Sequence, residues 1–210
     1  MKIVIIDYGL GNVKSIYSAF KSQGIEPILS NDSEVIFNAD GIVLPGVGAY
    51  SHAMKNLKKY NLVKIIKNYA KTEKPILGIC LGMQLLLEES EEFGITKGLG
   101  LIKGRVVKIP ISNTFQTKLP NINWSAIKPN FLKWDKTILK NISLNSEMYF
   151  IHSYVAKLEN ENEVLSVTDF HNVIFCSALK KGNIYGFQFH PEKSSKLGLK
   201  IIKNFIKICK

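Results

Sequence analysis

Three residues have the types and settings that suit nucleophilic catalysis: Cys80, His190 and Glu192. Cys80 stands in the pattern Gly78-x-Cys80-x-Gly82, between a short apolar run and a second apolar, helix-favouring segment. A strand, a tight turn and a helix would raise this side chain above a sheet, and the glycines would let neighbouring backbone approach closely. The helix N-terminus would then favour the thiolate. Taken alone, however, a cysteine is more often a buried core residue than a nucleophile.

The setting of His190 supplies the second half of this chemistry. His190 ends an apolar run, Pro191 stops the strand, and Glu192 follows. At that spacing a carboxylate can hold one imidazole nitrogen while the other faces a nucleophile. By itself His190 would be interpreted as a surface histidine before a turn. Together the two strand-end motifs predict Cys80 as nucleophile, His190 as base and Glu192 as the orienting group.

The other histidines are less informative. His152 lies in an alternating segment that is typical of a strand, and two roles stay open for it: lining the site, or serving as a satisfied structural histidine. His52 and His171 are predicted to lie on the surface.

The first half of the chain alternates between strands and helices. Strands are predicted at 2–6, 26–29, 41–44 and in the run before Cys80, with helices at 13–23, 33–38, within 49–72 and after Cys80. This alternation predicts an α/β fold with an open, mostly parallel central sheet flanked by helices. Ligands of such sheets bind beyond the carboxyl ends of the strands. Both Cys80 and the loop Pro45-Gly46-Val47-Gly48 follow strands, and backbone N–H groups of that loop can point at an anion.

The pattern changes after Glu92. Short strands with glycine turns are predicted within 98–110, followed by strands at 148–156, 164–170, 174–179 and 184–189 and a helix at 196–208. This predicts an antiparallel or mixed second half. With no internal repeat or linker-like segment, residues 1–210 are expected to form one domain.

Composition narrows the function classes. The net charge is +11, from 28 Lys and Arg against 17 Asp and Glu, and Arg105 is the only arginine. This near absence of arginine argues against a nucleic-acid reader, while the scattered lysines fit a solvated surface or a face turned toward an acidic partner. No apolar run approaches the ~20 residues that span a bilayer. Three irregularly spaced cysteines suggest neither a disulfide framework nor a zinc site, so a cytoplasmic protein is expected.

The motifs around the three candidate residues resemble a known family. Residues 78–84 (GICLGMQ) and 187–192 (FQFHPE) resemble the class I (triad) glutamine amidotransferases. Further matches narrow the resemblance to the glutaminase subunits of imidazole glycerol phosphate synthases; they are 7–12, 44–49, 88–92, 149–154 and 191–194. The matches run from residue 4 to about residue 195, so the resemblance covers essentially the whole chain.

The resemblance implies L-glutamine as substrate, with no cofactor and no metal. Cys80 would attack the side-chain amide carbon and form a γ-glutamyl thioester, His190 would shuttle protons, and Glu192 would hold its tautomer. The remaining implied site residues are oxyanion donors from the backbone of Val47, Gly48 and Leu81, and substrate contacts from Gly46, Gln84, Glu92, Ser153 and Tyr154. The glycines would permit a peptide flip that switches the oxyanion hole.

The resemblance also implies a partner, a (β/α)8-barrel synthase subunit that forms a heterodimer with the glutaminase and receives its ammonia. The family places four matching positions at this interface: Asn12, Trp124, Tyr149 and Lys193. Activation of the glutaminase by the bound partner is expected, because glutamine hydrolysis by the free subunit would be wasteful.

One segment departs from the family pattern. Where the family usually has Pro-His-Met-Gly-Trp-Asn, residues 120–125 read Pro-Asn-Ile-Asn-Trp-Ser. The segment faces the partner in the family, so the change bears on the ammonia acceptor more than on amide hydrolysis. This departure keeps open a paralogous glutaminase for amidation of a surface sugar. A non-enzymatic binding module and a cysteine peptidase are two further alternatives. Gln84 and the 45–48 loop favour glutamine over a peptide.

Overall fold

The structure is a computed structural model and describes residues 1–110, 118–131 and 133–210. Its helices are α1 (Val13–Ser22), α2 (Ser33–Phe37), α3 (Tyr50–Lys59), α4 (Leu62–Ala70), α5 (Leu81–Leu85) and α6 (Ser195–Ile208). Its strands are β1 (Ile3–Ile6), β2 (Ile28–Ser30), β3 (Gly41–Leu44), β4 (Ile76–Ile79), β5 (Glu89–Ser90), β6 (Thr96–Lys97), β7 (Gly104–Lys108), β8 (Asn121–Ala126), β9 (Lys128–Pro129), β10 (Glu147–His152), β11 (Tyr154–Leu158), β12 (Val164–Phe170), β13 (Val173–Lys181) and β14 (Ile184–Phe187).

The central sheet has the strand order β2-β1-β3-β4-β14-β13-β12-β9. Pairing is parallel from β2 through to β14 and antiparallel from β14 to β9. The predicted α/β fold with a mostly parallel sheet and a mixed second half is therefore confirmed. The crossover from β4 to the distant β14 matters most for function, because it places the ends of these two strands side by side.

Helices cover the inner parallel strands β1, β3 and β4, which are buried on both faces, whereas the edge strand β2 is largely exposed. Ile3 and Ile5 of β1 belong to one core cluster, and Val4 and Ile6 belong to the other. This is the alternation expected when successive side chains point to opposite faces of a sheet. Burial of each large aliphatic side chain contributes roughly 1.5–3 kcal/mol relative to exposure. The continuous apolar runs therefore define the middle of the sheet.

Local sequence signals set several helix boundaries. The Asp32 side chain accepts hydrogen bonds from the backbone N–H groups of Glu34 and Val35 and so caps α2. Helix α1 ends before Gly24, whose φ of +82° is readily adopted only without a side chain. Phe20 of α1 packs edge-on against Phe205 of α6, with ring centroids 6.3 Å apart.

Some predicted elements differ in the structure. The predicted strand 148–156 is two strands, because the chain changes partner at Ser153: β10 pairs with β8, whereas β11 pairs with β7 in another sheet. Residues 98–103 are an irregular segment with bends rather than strands, and the strand of this region is β7. The second strand is Ile28–Ser30 rather than 26–29. Hydrophobic alternation does not identify the partner strand, so it could not locate these breaks.

Among the described residues, no helix is both long and apolar enough to cross a membrane.

Candidate active site

Cys80 sits on a sharp turn between β4 and α5. Its backbone has φ 53° and ψ −111°, a conformation that a residue with a side chain rarely adopts and that costs on the order of 1–3 kcal/mol. The flanking glycines explain how the turn is accommodated. A Cβ at Gly82 would lie 1.8 Å from the Leu44 carbonyl oxygen, and one at Gly78 would lie 2.7 Å from the Gly82 oxygen. The predicted raised cysteine is therefore what the structure contains.

His190 reaches the same place from β14. Gly186 and Phe187 pair in register with Gly78 and Ile79, and the Cys80 N–H donates to the Phe187 carbonyl at 2.7 Å. The chain then continues past the end of the sheet, where the His190 N–H donates to the Tyr149 carbonyl at 2.9 Å. Parallel pairing thus brings together two residues that are far apart in the sequence.

Glu192 is held beside His190 by a short turn that begins at Pro191. The imidazole Nδ1 lies 2.7 Å from Glu192 Oε1, and both side chains are almost fully shielded from solvent. Nδ1–H therefore donates to the carboxylate and leaves Nε2 as the reactive nitrogen. Among the described residues Nε2 is buried and has no hydrogen-bond partner.

The electrostatics of this pair favour the imidazolium. Burial lowers the pKa of His190, but the neighbouring Cys80 sulfur and the Glu192 carboxylate outweigh burial and raise the pKa to about 10. The Cys80 sulfur acts on the His190 imidazole from close by. The imidazolium form of His190, beside the Cys80 sulfur, is thus the expected state of the histidine at neutral pH.

A cavity of about 380 Å³ opens over Cys80 and His190. It brings together most of the residues predicted for the oxyanion hole and the substrate: Val47, Gly48, Leu81, Gln84, Glu92, Ser153 and Tyr154. It is also lined by Pro120, Ile151 and His152, to which the sequence had assigned no definite role. Gly46 lies just behind it, where a Cβ would come within 2.8 Å of the Gly82 nitrogen.

The 45–48 loop forms one wall of the cavity. The Tyr8 hydroxyl donates to the Pro45 carbonyl and anchors the start of the loop. Further along, Val47 is exposed and Gly48 has φ +99°, in a position where an added Cβ would meet open space. The loop is therefore anchored at Pro45 and sterically unobstructed at Gly48.

The polar end of the cavity is formed by Gln84 and Glu92. The Gln84 Nε2 group donates to the Tyr154 carbonyl and to Gln188 Oε1, both at 3.0 Å. Glu92 Oε2 accepts from the Tyr50 N–H at 2.6 Å, which holds the carboxylate at the start of α3. Sequence reasoning missed Gln188, although its position two residues before His190 on the same strand end was a usable signal.

Trp124, Tyr149 and Lys193 lie together beside the triad. The Trp124 and Tyr149 rings are 5.9 Å apart, Tyr149 is 6.5 Å from the His190 ring, and Lys193 Nζ is 5.8 Å from the Tyr149 centroid. Asn12 is not part of this cluster: it precedes α1, where its Oδ1 accepts from the Ser15 hydroxyl. Helix α1 nevertheless packs against the turn that carries Lys193.

The remaining histidines divide as follows. His52 and His171 are exposed, as predicted. His152 is buried, makes two hydrogen bonds and also lines the cavity, so both roles left open for it apply. Over residues 1–110, 118–131 and 133–210, no group of three or more His, Cys, Asp or Glu side chains is arranged to hold a metal ion.

Comparison with known proteins agrees with this geometry. The family model for glutamine amidotransferase class-I matches residues 4–209. The chain belongs to this family. Imidazole glycerol phosphate synthase subunit HisH of Aquifex aeolicus is 44% identical over 206 residues, with 98% of this chain and 96% of that protein covered. The HisH subunit of Methanosarcina acetivorans is 46% identical over 210 residues, covering 99% of each.

Solved structures support the fold of the amidotransferase. The structure of PurLQS from Thermotoga maritima matches with a TM-score of 0.75 at 18% identity, covering 100% of this chain and 99% of that one. A structure described as a glutamine amidotransferase matches with a TM-score of 0.74 at 17% identity and 98% coverage of both chains. At these identities the likeness concerns the fold alone.

Proposed function

We propose that this chain is the glutaminase subunit of an imidazole glycerol phosphate synthase. It hydrolyses L-glutamine to glutamate and ammonia, and passes the ammonia to a (β/α)8-barrel synthase subunit. That subunit makes imidazole glycerol phosphate and aminoimidazole carboxamide ribotide in histidine biosynthesis. The observation that carries the proposal is the cavity that joins Cys80 and His190 to the polar end at Gln84 and Glu92. The HisH relatives at 44–46% identity support the pathway.

In the first half-reaction the Cys80 thiolate attacks the side-chain amide carbon of glutamine. The electron pair moves onto the carbonyl oxygen, for which we propose backbone N–H groups of Leu81 and the 45–48 loop as donors. Loss of one such donor typically costs about 2.7–4 kcal/mol of transition-state stabilisation. The C–N bond then breaks, and protonated His190 gives its Nε2 proton to the leaving nitrogen. Ammonia and a γ-glutamyl thioester result.

In the second half-reaction His190 must act as a base. Acylation of Cys80 changes the charges around His190 so that it can do so. Once the sulfur is acylated, it no longer carries the negative charge that helped to raise the pKa of His190. Burial then acts against the Glu192 carboxylate alone, so the pKa falls and Nε2 can accept a proton from water. The hydroxide formed attacks the thioester carbon, glutamate leaves, and the charged pair with Cys80 is restored.

The amino-acid end of glutamine fits the polar end of the cavity. Both Nε2 hydrogens of Gln84 are used by the protein, so its Oε1 is the atom free to accept from the substrate ammonium. The Glu92 carboxylate supplies a negative charge beside it. Backbone N–H groups of Ser153 and Tyr154 are proposed to hold the substrate carboxylate.

A partner surface adjoins this cavity. Outward-facing side chains of β8 and β10 form what we term the ribbon face, which consists of Ile122, Trp124, Tyr149 and Ile151. Trp124 is 44% exposed and Ile122 57%, which is unusual for large apolar side chains that neighbour one another. Because Ile151 also lines the cavity, a subunit docked here would receive ammonia without its passage through bulk water. Asn12 and Lys193 would border this contact.

Complementation of a histidine auxotroph that lacks its glutaminase subunit tests the proposal. Growth is expected with the parent chain and not with Cys80→Ala, provided that both proteins are soluble. Purified with the barrel subunit, the parent chain should release glutamate from glutamine, and Cys80→Ala should not. Failure to complement, together with loss of a surface amidino sugar on deletion, would favour the sugar-amidating alternative. A single domain over residues 1–210 and a cytoplasmic setting are part of the same proposal.

A further inference from the structure

A chain of buried polar side chains connects β8 to the nucleophile, and the reaction steps above do not use its first members. It begins at Asn121, which is completely buried and does not line the cavity. Asn121 Nδ2 lies 3.1 Å from His152 Nε2, and His152 Nδ1 lies 2.9 Å from the Tyr154 carbonyl oxygen. These contacts link β8 to Tyr154, whose carbonyl also accepts from Gln84.

The Tyr154 carbonyl determines where the hydrogens are. A carbonyl oxygen only accepts, so His152 Nδ1 must carry the proton that points at it. Burial lowers the pKa of His152 to about 4, with the bond to the Tyr154 carbonyl opposing burial and the charge of His190 adding to it. The imidazole is therefore neutral, Nε2 is unprotonated, and only a donor can satisfy it. The Asn121 amide provides this donor.

The same carbonyl fixes the next link. Gln84 Nε2 donates to it and, with its second hydrogen, to Gln188 Oε1. Gln188 must then present its Nε2 to Cys80, whose sulfur lies 3.7 Å away. Each amide in the series has one orientation, and the atom of Gln84 left for a ligand is its Oε1. Buried hydrogen-bond networks of this kind restrict the orientations of their members.

We propose that Asn121 is a positioning residue for glutamine recognition. By donating to His152 Nε2 it keeps the histidine in the Nδ1–H tautomer, which fixes the Tyr154 carbonyl and turns the Gln84 amide oxygen toward the substrate ammonium. The inference rests on the proposed function. Asn121 touches no substrate and acts through His152.

The orientation of Asn121 has a cost that supports this role. With Nδ2 toward His152, the Asn121 Oδ1 atom is buried and has no hydrogen-bond partner among the described residues. An unpaired buried acceptor is unfavourable. The reverse orientation would be worse, because the amide oxygen would face the lone pair of Nε2 and both atoms would lack a donor.

The test compares Asn121→Leu with Asn123→Leu in the complex with the barrel subunit. Asn123 lies on the same face of β8 but is exposed, so the same substitution there controls for strand effects. For Asn121→Leu we expect KM for glutamine to rise about tenfold, as for the loss of one hydrogen bond that orients a binding group, with kcat changed less than threefold. Asn123→Leu should leave KM unchanged.

Two further readouts separate positioning from a merely structural role. In 15N-histidine-labelled parent protein, the His152 NMR signals should show an unprotonated Nε2. Asn121→Asp should add a proton at Nε2, because a carboxylate can only accept there while the Tyr154 carbonyl keeps the proton on Nδ1. In the parent complex, a glutamine analogue without its α-amino group should have a higher KM than glutamine. In Asn121→Leu this difference in KM should disappear, because Gln84 no longer recognises the ammonium.

The outcomes are distinguishable. If the parent complex hydrolyses glutamine but folded Asn121→Leu keeps the parental KM and discrimination, or if His152 in the parent is protonated at Nε2, the positioning role is refuted. If the parent complex releases no glutamate, the proposed function itself fails. If Asn121→Leu does not fold, Asn121→Asp and the tautomer measurement on the parent decide the question.

Discussion

Replacement of Glu192 by Gln is the most direct test of how the protonation state of His190 is controlled. The substitution keeps the shape of the side chain, and its amide oxygen can still accept from His190 Nδ1, so mainly the charge is removed. The bond in question is 2.7 Å long and its carboxylate is fully shielded from solvent. A hydrogen bond to a charged group contributes about 1.5–3 kcal/mol. At 1.36 kcal/mol per tenfold, the equilibrium constant that favours the charged pair with Cys80 falls roughly 10- to 150-fold.

The sign of the pH effect follows from the direction of the shift. The pKa of His190 is raised to about 10, so in the parent protein the imidazolium persists through neutral pH and is lost only as the pH rises toward that value. Glu192→Gln lowers this pKa. Activity that depends on the imidazolium should then decline at a lower pH than in the parent.

Two assays measure this effect. Glutamate release by the complex at saturating glutamine gives the rate at each pH, and mass spectrometry of iodoacetamide adducts gives the reactivity of Cys80. Cys176 and Cys209 do not interfere, because burial raises the pKa of each thiol to about 12. Glu161→Gln, an exposed position, is the matched control. Parental rates and parental pH profiles in folded Glu192→Gln would refute the reasoning.

Two predictions concern the scaffold. Gly82→Ala should lower the unfolding free energy by more than about 3 kcal/mol in chemical denaturation, because its Cβ would lie 1.8 Å from the Leu44 carbonyl oxygen. The control is Gly182→Ala, which has φ +55° but open space around it and should cost only about 1–2 kcal/mol. Equal effects would contradict the steric argument. Burial lowers the pKa of His152 to about 4, so the folded protein holds this imidazole neutral where the unfolded chain would protonate it. The free energy of unfolding should therefore fall by about 3 kcal/mol as the pH drops from 6.5 to 4. His152→Gln should flatten this part of the pH–stability curve, and an unchanged slope would show that other groups cause it.

Much of the candidate site was predictable from local patterns. Glycines around Cys80 indicate a turn in which backbone segments nearly touch, and the close approaches at Gly78 and Gly82 have that cause. Pro191 and Glu192 after a strand indicate a carboxylate beside His190, and their contact is set within a few residues. Both signals are local, so they do not depend on knowing which strands pair.

The tertiary structure alone decided the remaining features, since each depends on contacts between distant segments. Pairing of β4 with β14 brings His190 to Cys80, and the hydrophobic pattern of either strand does not predict that the other is its partner. The change of partner at Ser153 separates β10 from β11, turns the Tyr154 carbonyl toward both His152 and Gln84, and leaves Asn121 buried at the start of the network. The sequence by itself determined which groups could react, because residue type and local turn chemistry are properties of short segments. The pairing of distant strands determined which of these groups come into contact.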